Sequence, residues 1–310
     1  MVIRRDTSTL VDRFRRTPHA MKVGLQIPNF TWPNGPAALG PELAAVAGTA
    51  DRAGFEYVAV MDHFFQIRGV GPSENDMLEA YTTLGFLAAH TERAKLLTLI
   101  TGIHYREPGL LAKAVTTLDV LSGGRAILGI GAGWNEEESR GLGFPFPSTS
   151  ERFERLEEAL HYLLQLWSDD DGPFAGRFTQ AERLLNSPQP LSRPRPPIMI
   201  GGGGEKKTLR LVAQYADSCN LFQGPELLRK LDVLRQHCDD VGRDYDDITK
   251  TVYHVLDVGE NGERTQQLID ELGQLAELGF DVAVGSVPTV PRLDPLERIG
   301  ADVIPQVEKL

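Results

Sequence analysis

The stretch PPIMIGGGGEKKTLRLVAQYADSCN, Pro196 to Asn220, joins an apolar run, four consecutive glycines and a helical pattern. Glycine runs cost conformational entropy on folding. They persist where the backbone takes unusual angles or where something approaches it closely. A strand that feeds through a glycine turn into a helix is one βα unit. The start of that helix carries unsatisfied, partly positive N–H groups, and glycines let a phosphate reach them. Gly201, Gly202, Gly203, Gly204, Lys206 and Lys207 therefore form a candidate phosphate cradle. A tight turn with solvated lysines is the competing reading. The spacing is not that of a Walker loop, which needs GKS or GKT after its glycines.

The same unit repeats along the chain. Strand patterns occur at KVGLQIP (22–28), YVAVMDH (57–63), AKLLTLITGI (94–103), RAILGIGAG (125–133), IMI (198–200), SCNLF (218–222), TKTVYHVLDV (249–258) and FDVAVGSV (280–287). Helical patterns follow them at 41–54, 77–90, 108–121, 151–167, 206–216, 225–241, 265–278 and near 296–307. Two junctions, DRAGFEYVAV and AELGFDVAVG, share a helix ending at glycine, an aromatic residue and a buried strand. Strands that are apolar almost throughout suit a parallel sheet covered on both faces. Eight such units predict an α/β fold, a closed (β/α)8 TIM barrel. A doubly wound open sheet is the alternative. The Pro- and Gly-rich stretch 169–197 breaks the alternation and reads as an insertion after the fourth helix, with a small hairpin. Residues 1–20 hold five arginines and lack an apolar core, so they read as a flexible extension before a single domain, 21–310, with a basic targeting segment as the weaker reading.

Composition narrows the function. The 310 residues carry a net charge of −11, which argues against general nucleic-acid binding. Apolar runs are strand-sized and too short for a membrane span. Cys219 and Cys238 form no CxxC, so neither a disulfide framework nor a cysteine metal site is expected, and a cytoplasmic protein fits.

In a barrel, chemistry sits at the C-terminal ends of the strands. Asp62 and His63 end the second strand, where an acid and an imidazole are a candidate catalytic pair; a structural acid is the bland reading. The fourth strand ends in GIGAGWNEEE, 129–138, which lacks the third glycine of the dinucleotide fingerprint. Its glycines make room either for a flat ligand or for a neighbouring side chain. HExxH and GxSxG are absent from the sequence, so neither a zinc site nor a serine nucleophile is expected.

Three segments in order and spacing, TLITGIHYREPGLLAKAVTTLDVLSGGRAILGIGAGWNEEE, RFERLEEAL and PRPPIMIGGGGEKKTLRLVAQYADSCN, resemble the luciferase-like monooxygenase superfamily over 21 to about 305. They look most like its coenzyme F420-dependent oxidoreductase branch. The resemblance implies a (β/α)8 barrel whose insertion covers the mouth, and a deazaflavin or flavin whose phosphate lies near Gly201–Gly204. It implies a non-proline cis peptide in the third strand, placed between Thr98 and Leu99. It implies that Asp62 and His63 lie near the ring, His63 stabilising negative charge on its polar edge, with Gly131, Gly133 and Asn135 lining the pocket. The branch's sugar-phosphate dehydrogenases carry an acid after strand one and a Trp soon after the strand-two His. Here QIPNFTW and FFQIRG stand there, with Trp32 and Trp134 as other candidates for an aromatic wall. The expected activity is hydride transfer between coenzyme F420 and a small-molecule substrate, in a homodimer. The alternatives are an FMN-dependent monooxygenase supplied by a flavin reductase, and a non-catalytic carrier barrel.

Overall fold

The computed structural model describes residues 20–310, so the extension expected over 1–20 lies outside the described residues except for exposed Ala20. Eight strands form the sheet: β1 Lys22–Ile27, β2 Tyr57–Val60, β3 Lys95–Thr98 with a continuation at Thr101–Gly102, β4 Ala126–Gly131, β5 Ile198–Gly201, β6 Ser218–Phe222, β7 Thr249–Tyr253 and β8 Val282–Gly285. Every neighbouring pair is parallel. The β3–β4 register (Leu96↔Ala126, Leu97↔Ile127) and the β8–β1 register (Lys22↔Val282) close the sheet on itself, giving the (β/α)8 barrel.

Alternate residues explain the continuous apolar strands. Tyr57, Ala59, Leu97, Ile127, Met199, Val282 and Val284 form one buried cluster inside the barrel. Val58, Val60, Leu96, Leu128, Ile198 and Ala283, one step out of phase, pack against the surrounding helices. With both faces buried, both are mostly apolar.

The helices are α1 Leu39–Ala53, α2 Ala80–Ala88, α3 Pro108–Leu121, α4 Glu136–Leu142, α5 Thr149–Leu166, α6 Thr208–Tyr215, α7 Leu227–Val241 and α8 Thr265–Glu277. The echoing junctions are built alike: Gly54 and Gly279 take φ of 93° and 87°, and the next residues, Phe55 and Phe280, are buried. Pro108 opens α3 at its first position, as its fixed φ favours.

α4 has no counterpart in the sequence pattern, and three other helices differ from it most clearly. The second starts at Ala80 rather than 77, because the Glu79 carboxylate accepts the Thr82 amide at 2.6 Å and caps it there. The sixth starts at Thr208, since the glycine turn runs on through Lys207. The last is a composite of Asp294–Arg298, a π-helical turn Ile299–Val303 and Ile304–Val307. Gly300 sits so close to α1 that an added Cβ would lie 2.6 Å from the Ala53 carbonyl oxygen.

Segment 169–197 carries the expected hairpin, Phe174–Ala175 paired with Gln180–Ala181. Its recorded anchors lie on the barrel flank. Glu158 of α5 accepts the amides of Arg177, Phe178 and Thr179, and buried Asp119 of α3 accepts those of Leu191 and Ser192. These carboxylates capture the segment along α3 and α5, and it contributes no residue to the cavity at the barrel mouth. The cover expected from it comes instead from the 63–79 loop and from residues 132–153. Among the described residues, no helix is long and apolar enough to cross a membrane.

Candidate functional site

A cavity of about 560 Å³ opens at the C-terminal ends of the strands. Its lining follows β1 (Pro28), β2 (Met61, His63), β3 (Leu99–Gly102), β4 (Ala132–Trp134), β5 (Gly201, Gly202), β6 (Phe222) and β7 (Tyr253).

One wall is the bulge that interrupts β3. The non-proline cis peptide joins Leu99 and Ile100, one residue beyond the expected Thr98–Leu99 bond. Thr98 still belongs to the strand: it is fully buried, and its Oγ1 donates to the Gly129 carbonyl at 3.0 Å. Gln26 from β1, two strands away, donates through Nε2 to the Leu99 carbonyl at 3.2 Å and holds the bulge. Ile100 sits where side chains of the adjoining strands would be. A Cβ on Gly131 would meet its Cδ1 at 2.5 Å, and one on Gly201 would meet it at 2.7 Å. The strand-end glycines therefore make room for a neighbouring side chain, which in turn forms the cavity wall.

His63 lies on the rim of this wall, its side chain 11% exposed. Its Nδ1 is 2.5 Å from Glu138 Oε1. The other carboxylate oxygen accepts the amides of Phe64 at 2.7 Å and Phe65 at 3.1 Å, and Tyr105 donates its hydroxyl to Oε1. Burial opposes ionisation of Glu138, but the bonds from His63, Tyr105 and the Phe64 amide outweigh it and hold its carboxyl below the usual range. An ionised carboxylate only accepts, so His63 Nδ1 carries a proton and Nε2 is the nitrogen left for the cavity. Burial and the Glu138 charge push the Tyr105 phenol up, so it stays a donor. Trp134, 62% exposed, stands edge-on to the imidazole with ring centroids 5.4 Å apart. Trp32 is instead packed against Phe30 in the core.

Asp62 points away from the cavity. It is 1% exposed and bound twice by Arg106, at 2.5 and 3.0 Å, and Arg106 also reaches Glu79 at 2.5 Å. Burial pushes its carboxyl up against the pull of that guanidinium. This buried pair ties β2 to the entry of α3.

The helix α4 explains why one glutamate of three became internal. Glu136 pairs with Arg140 and Glu137 with Arg68 and Ser73, both facing outward. Glu138 and Ser139 face inward and are fully buried. Ser139 donates to the Asn135 carbonyl at 2.7 Å and so accepts from His104 Nε2 at 2.9 Å. His104 Nδ1 is then a bare acceptor; it is buried and has no partner among the described residues. Burial, helped by Arg152, lowers the His104 pKa to about 4, so the ring is neutral. Asn135 is the N-cap of α4 and lines a separate, smaller hollow between α4 and the 63–79 loop.

The glycine turn closes the far end of the cavity. Gly201 and Gly202 line it, Gly202 with φ of 113°, and the Gly202 amide is bonded to the Asn220 carbonyl. Gly203, Gly204 and Lys206 donate to no backbone carbonyl among the described residues. Lys206 and Lys207 are exposed at the rim; Lys207 Nζ reaches Ser150 Oγ at 3.2 Å and lies 5.4 Å from the Phe153 ring. A cation that sequence pattern did not flag lies closer. A Cβ on Gly203 would meet Lys230 Nζ, from α7, at 2.7 Å. That ammonium has no ion-pair or hydrogen-bond partner among the described residues. Of the expected cofactor-lining residues, Leu99, Gly133, Gly201 and Gly202 face the cavity. Thr98, Gly131, Asn135, Gly203, Gly204, Lys206 and Lys207 stand behind or beside it.

Comparison with known proteins agrees with the barrel fold. The family model described as luciferase-like monooxygenase matches residues 21–285. An FMNH(2)-dependent dimethylsulfone monooxygenase of Pseudomonas putida is 33% identical over 157 residues, 51% of this chain and 42% of that protein. An F420-dependent glucose-6-phosphate dehydrogenase of Kineococcus radiotolerans is 33% identical over 227 residues, 71% of this chain and 65% of that protein. The chain thus spans less than two thirds of the length of either relative. The coenzyme F420 dependent tetrahydromethanopterin reductase of Methanopyrus kandleri shares the fold, with a TM-score of 0.74 at 17% identity over 93% of this chain and 99% of that one.

Proposed function

Because the chain belongs to the luciferase-like monooxygenase family, we propose that it is an oxidoreductase that moves a hydride between coenzyme F420 and a small organic substrate. One observation carries this reading: a single cavity runs from an imidazole fixed by a buried carboxylate to Gly201 and Gly202, and beside it the rest of that turn holds amides and a lysine uncommitted among the described residues. The residues fit a flat cofactor with an anionic tail. The Leu99–Ile100 bulge offers an apolar wall for a ring. Gly203, Gly204 and Lys230 offer N–H donors and a positive charge for a phosphate. Lys206 and Lys207 extend that charge toward solvent.

Coenzyme F420, when bound, would supply a deazaflavin ring that accepts or gives a hydride. The chain's own residues orient and exclude. Gln26 fixes the bulge so that the wall is rigid before anything binds. Glu138 fixes the His63 tautomer, which leaves Nε2 to face negative charge at the polar edge of the site. Asp62 and Arg106, bonded to each other, position the strand end that carries His63. Tyr105, Phe64 and Phe144 pack around Glu138 and keep water from it.

The F420-dependent relative matches a longer stretch of this chain than the FMNH(2)-dependent one, which supports the deazaflavin over FMN. The FMN monooxygenase remains the second reading because that relative is equally similar where it matches. Calorimetric titration with coenzyme F420 and with FMN, side by side, tests the choice. Tight binding of F420 alone is expected. Tight binding of FMN alone would replace the proposed reaction by monooxygenation. Binding of neither would remove the phosphate role of the glycine turn.

A further inference from the structure

We infer that the substrate half of this cavity takes a neutral, mostly apolar molecule and rejects anionic ones such as phosphorylated sugars; the inference rests on the cofactor reading above. None of the cavity's lining residues is Lys, Arg, Asp or Glu. Besides the glycine turn, the large apolar and aromatic side chains of the lining include Met61, Ile67, Val70, Trp134, Phe222 and Tyr253.

Apart from His63 Nε2, several polar side chains of the lining already hold hydrogen bonds. Tyr105 gives its hydroxyl to Glu138, Gln26 gives Nε2 to Leu99, and Thr101 Oγ1 is shared with Thr98 and Tyr81 at 2.9 Å each. Next to the glycine turn, Asn220 Oδ1 accepts from Thr251 at 2.8 Å. Tyr253 leans on Ser286 at 3.3 Å. The charged side chains nearby are paired behind the wall: Glu138 with His63, and Asp62 with Arg106 and Glu79. Arg68 on the covering loop is 90% exposed and bonded to Glu137 on the far side of Trp134. A phosphate or carboxylate entering here would lose its water and meet no counter-charge, which is strongly unfavourable. An alkyl group loses only water it does not need. The cations Lys230, Lys206 and Lys207 stand at the glycine turn, where the cofactor's own anionic groups would occupy them.

The test uses the F420-loaded protein. Tryptophan fluorescence follows titration with straight-chain 2-alkanones from butan-2-one to octan-2-one, and with glucose 6-phosphate, while calorimetry measures F420 affinity separately. The expected result is ketone affinity that tightens about fourfold per added CH2 and is indifferent to salt, with glucose 6-phosphate neither binding nor displacing octan-2-one. Val70→Lys, at a wall residue that is 41% exposed and so tolerant of change, is expected to weaken octan-2-one severalfold and leave F420 affinity within about twofold. Normal F420 binding with salt-sensitive glucose 6-phosphate binding, or with ketone affinity flat along the series, would overturn the inference and leave the cofactor reading standing. Octan-2-one binding untouched by Val70→Lys would overturn its placement at this wall. Failure of F420 to bind would instead overturn the cofactor reading, and the substrate inference with it.

Discussion

Glu138 holds His63 through Nδ1 at 2.5 Å, although the two are 75 residues apart and start from different strands of the barrel. The carboxylate is fully buried, and among the described residues His63 and Tyr105 are the cavity-lining side chains bonded to it. Glu138→Gln keeps the shape but offers the imidazole a weaker, neutral partner that can present either an oxygen or an amide. Turnover is expected to fall about a hundredfold, with F420 affinity unchanged and the pH profile of kcat displaced. An unchanged pH profile would show that Glu138 serves the Phe64 and Phe65 amides alone.

His63→Ala removes the group itself. Turnover should fall by about two orders of magnitude or more, while calorimetric F420 affinity stays within a few-fold. Full activity in this variant would end the charge-stabilising role given to His63.

Lys230 offers a separate handle on the cofactor end. Its ammonium lies against Gly203 without a partner among the described residues. Lys230→Gln should weaken F420 binding about tenfold, the range of one charge-assisted hydrogen bond. The salt dependence of binding should shrink in the same variant. Equal affinity and equal salt slope would move the phosphate elsewhere.

Asp62 is a stability residue by its surroundings. Asp62→Ala leaves Arg106 buried with only the partly exposed Glu79 for company. Removing one partner of a buried pair costs about 3–5 kcal/mol, read as a lower urea midpoint at constant slope. The double variant with Arg106→Met should recover most of that loss. A stable Asp62→Ala protein that has lost turnover would instead place the carboxylate in the reaction.

Acid stability should report on His104. Its folded pKa of about 4 lies below the ordinary 6.5 because the neutral ring is buried. Between those values the unfolded chain binds the proton and the folded one does not. The stability this residue contributes is therefore complete above pH 6.5 and drains away as pH falls toward 4. Thermal melts of His104→Asn against the parent should show a smaller decline across that window. Parallel declines would mean the ring is protonated in the folded state.

The barrel was legible because its strands are apolar on both faces and its helices end at glycines such as Gly54 and Gly279. His63 and the glycine turn were legible because the fold places every strand's last residues at one mouth. Glu138 was not. It stands third in a row of three glutamates, and only the phase of a seven-residue helix distinguishes the buried one from its solvated neighbours. Lys230 was hidden for a similar reason: it sits in an ordinary amphipathic helix whose distance from the glycine turn is a matter of tertiary packing. The cis bond was displaced by one residue because motif spacing fixes the bulge but not the register within it. Asp62 looked like a partner of His63 because they adjoin in sequence, yet successive residues of an extended chain face opposite ways.

The glycines beside Ile100 carry a consequence for anyone reshaping this protein. Gly129, Gly131 and Gly201 are each within touching distance of the β3 bulge, from Thr98 O to the Ile100 side chain. The floor of the cavity is therefore shared property of three strands, and its residues can be exchanged only as a set. Enlarging Gly131 or Gly201 by one methyl group calls for a smaller residue at position 100, and a smaller residue at 100 alone opens a hollow in the floor. Libraries that vary one position at a time will find this region barren, while paired changes across the strand boundary will find it permissive.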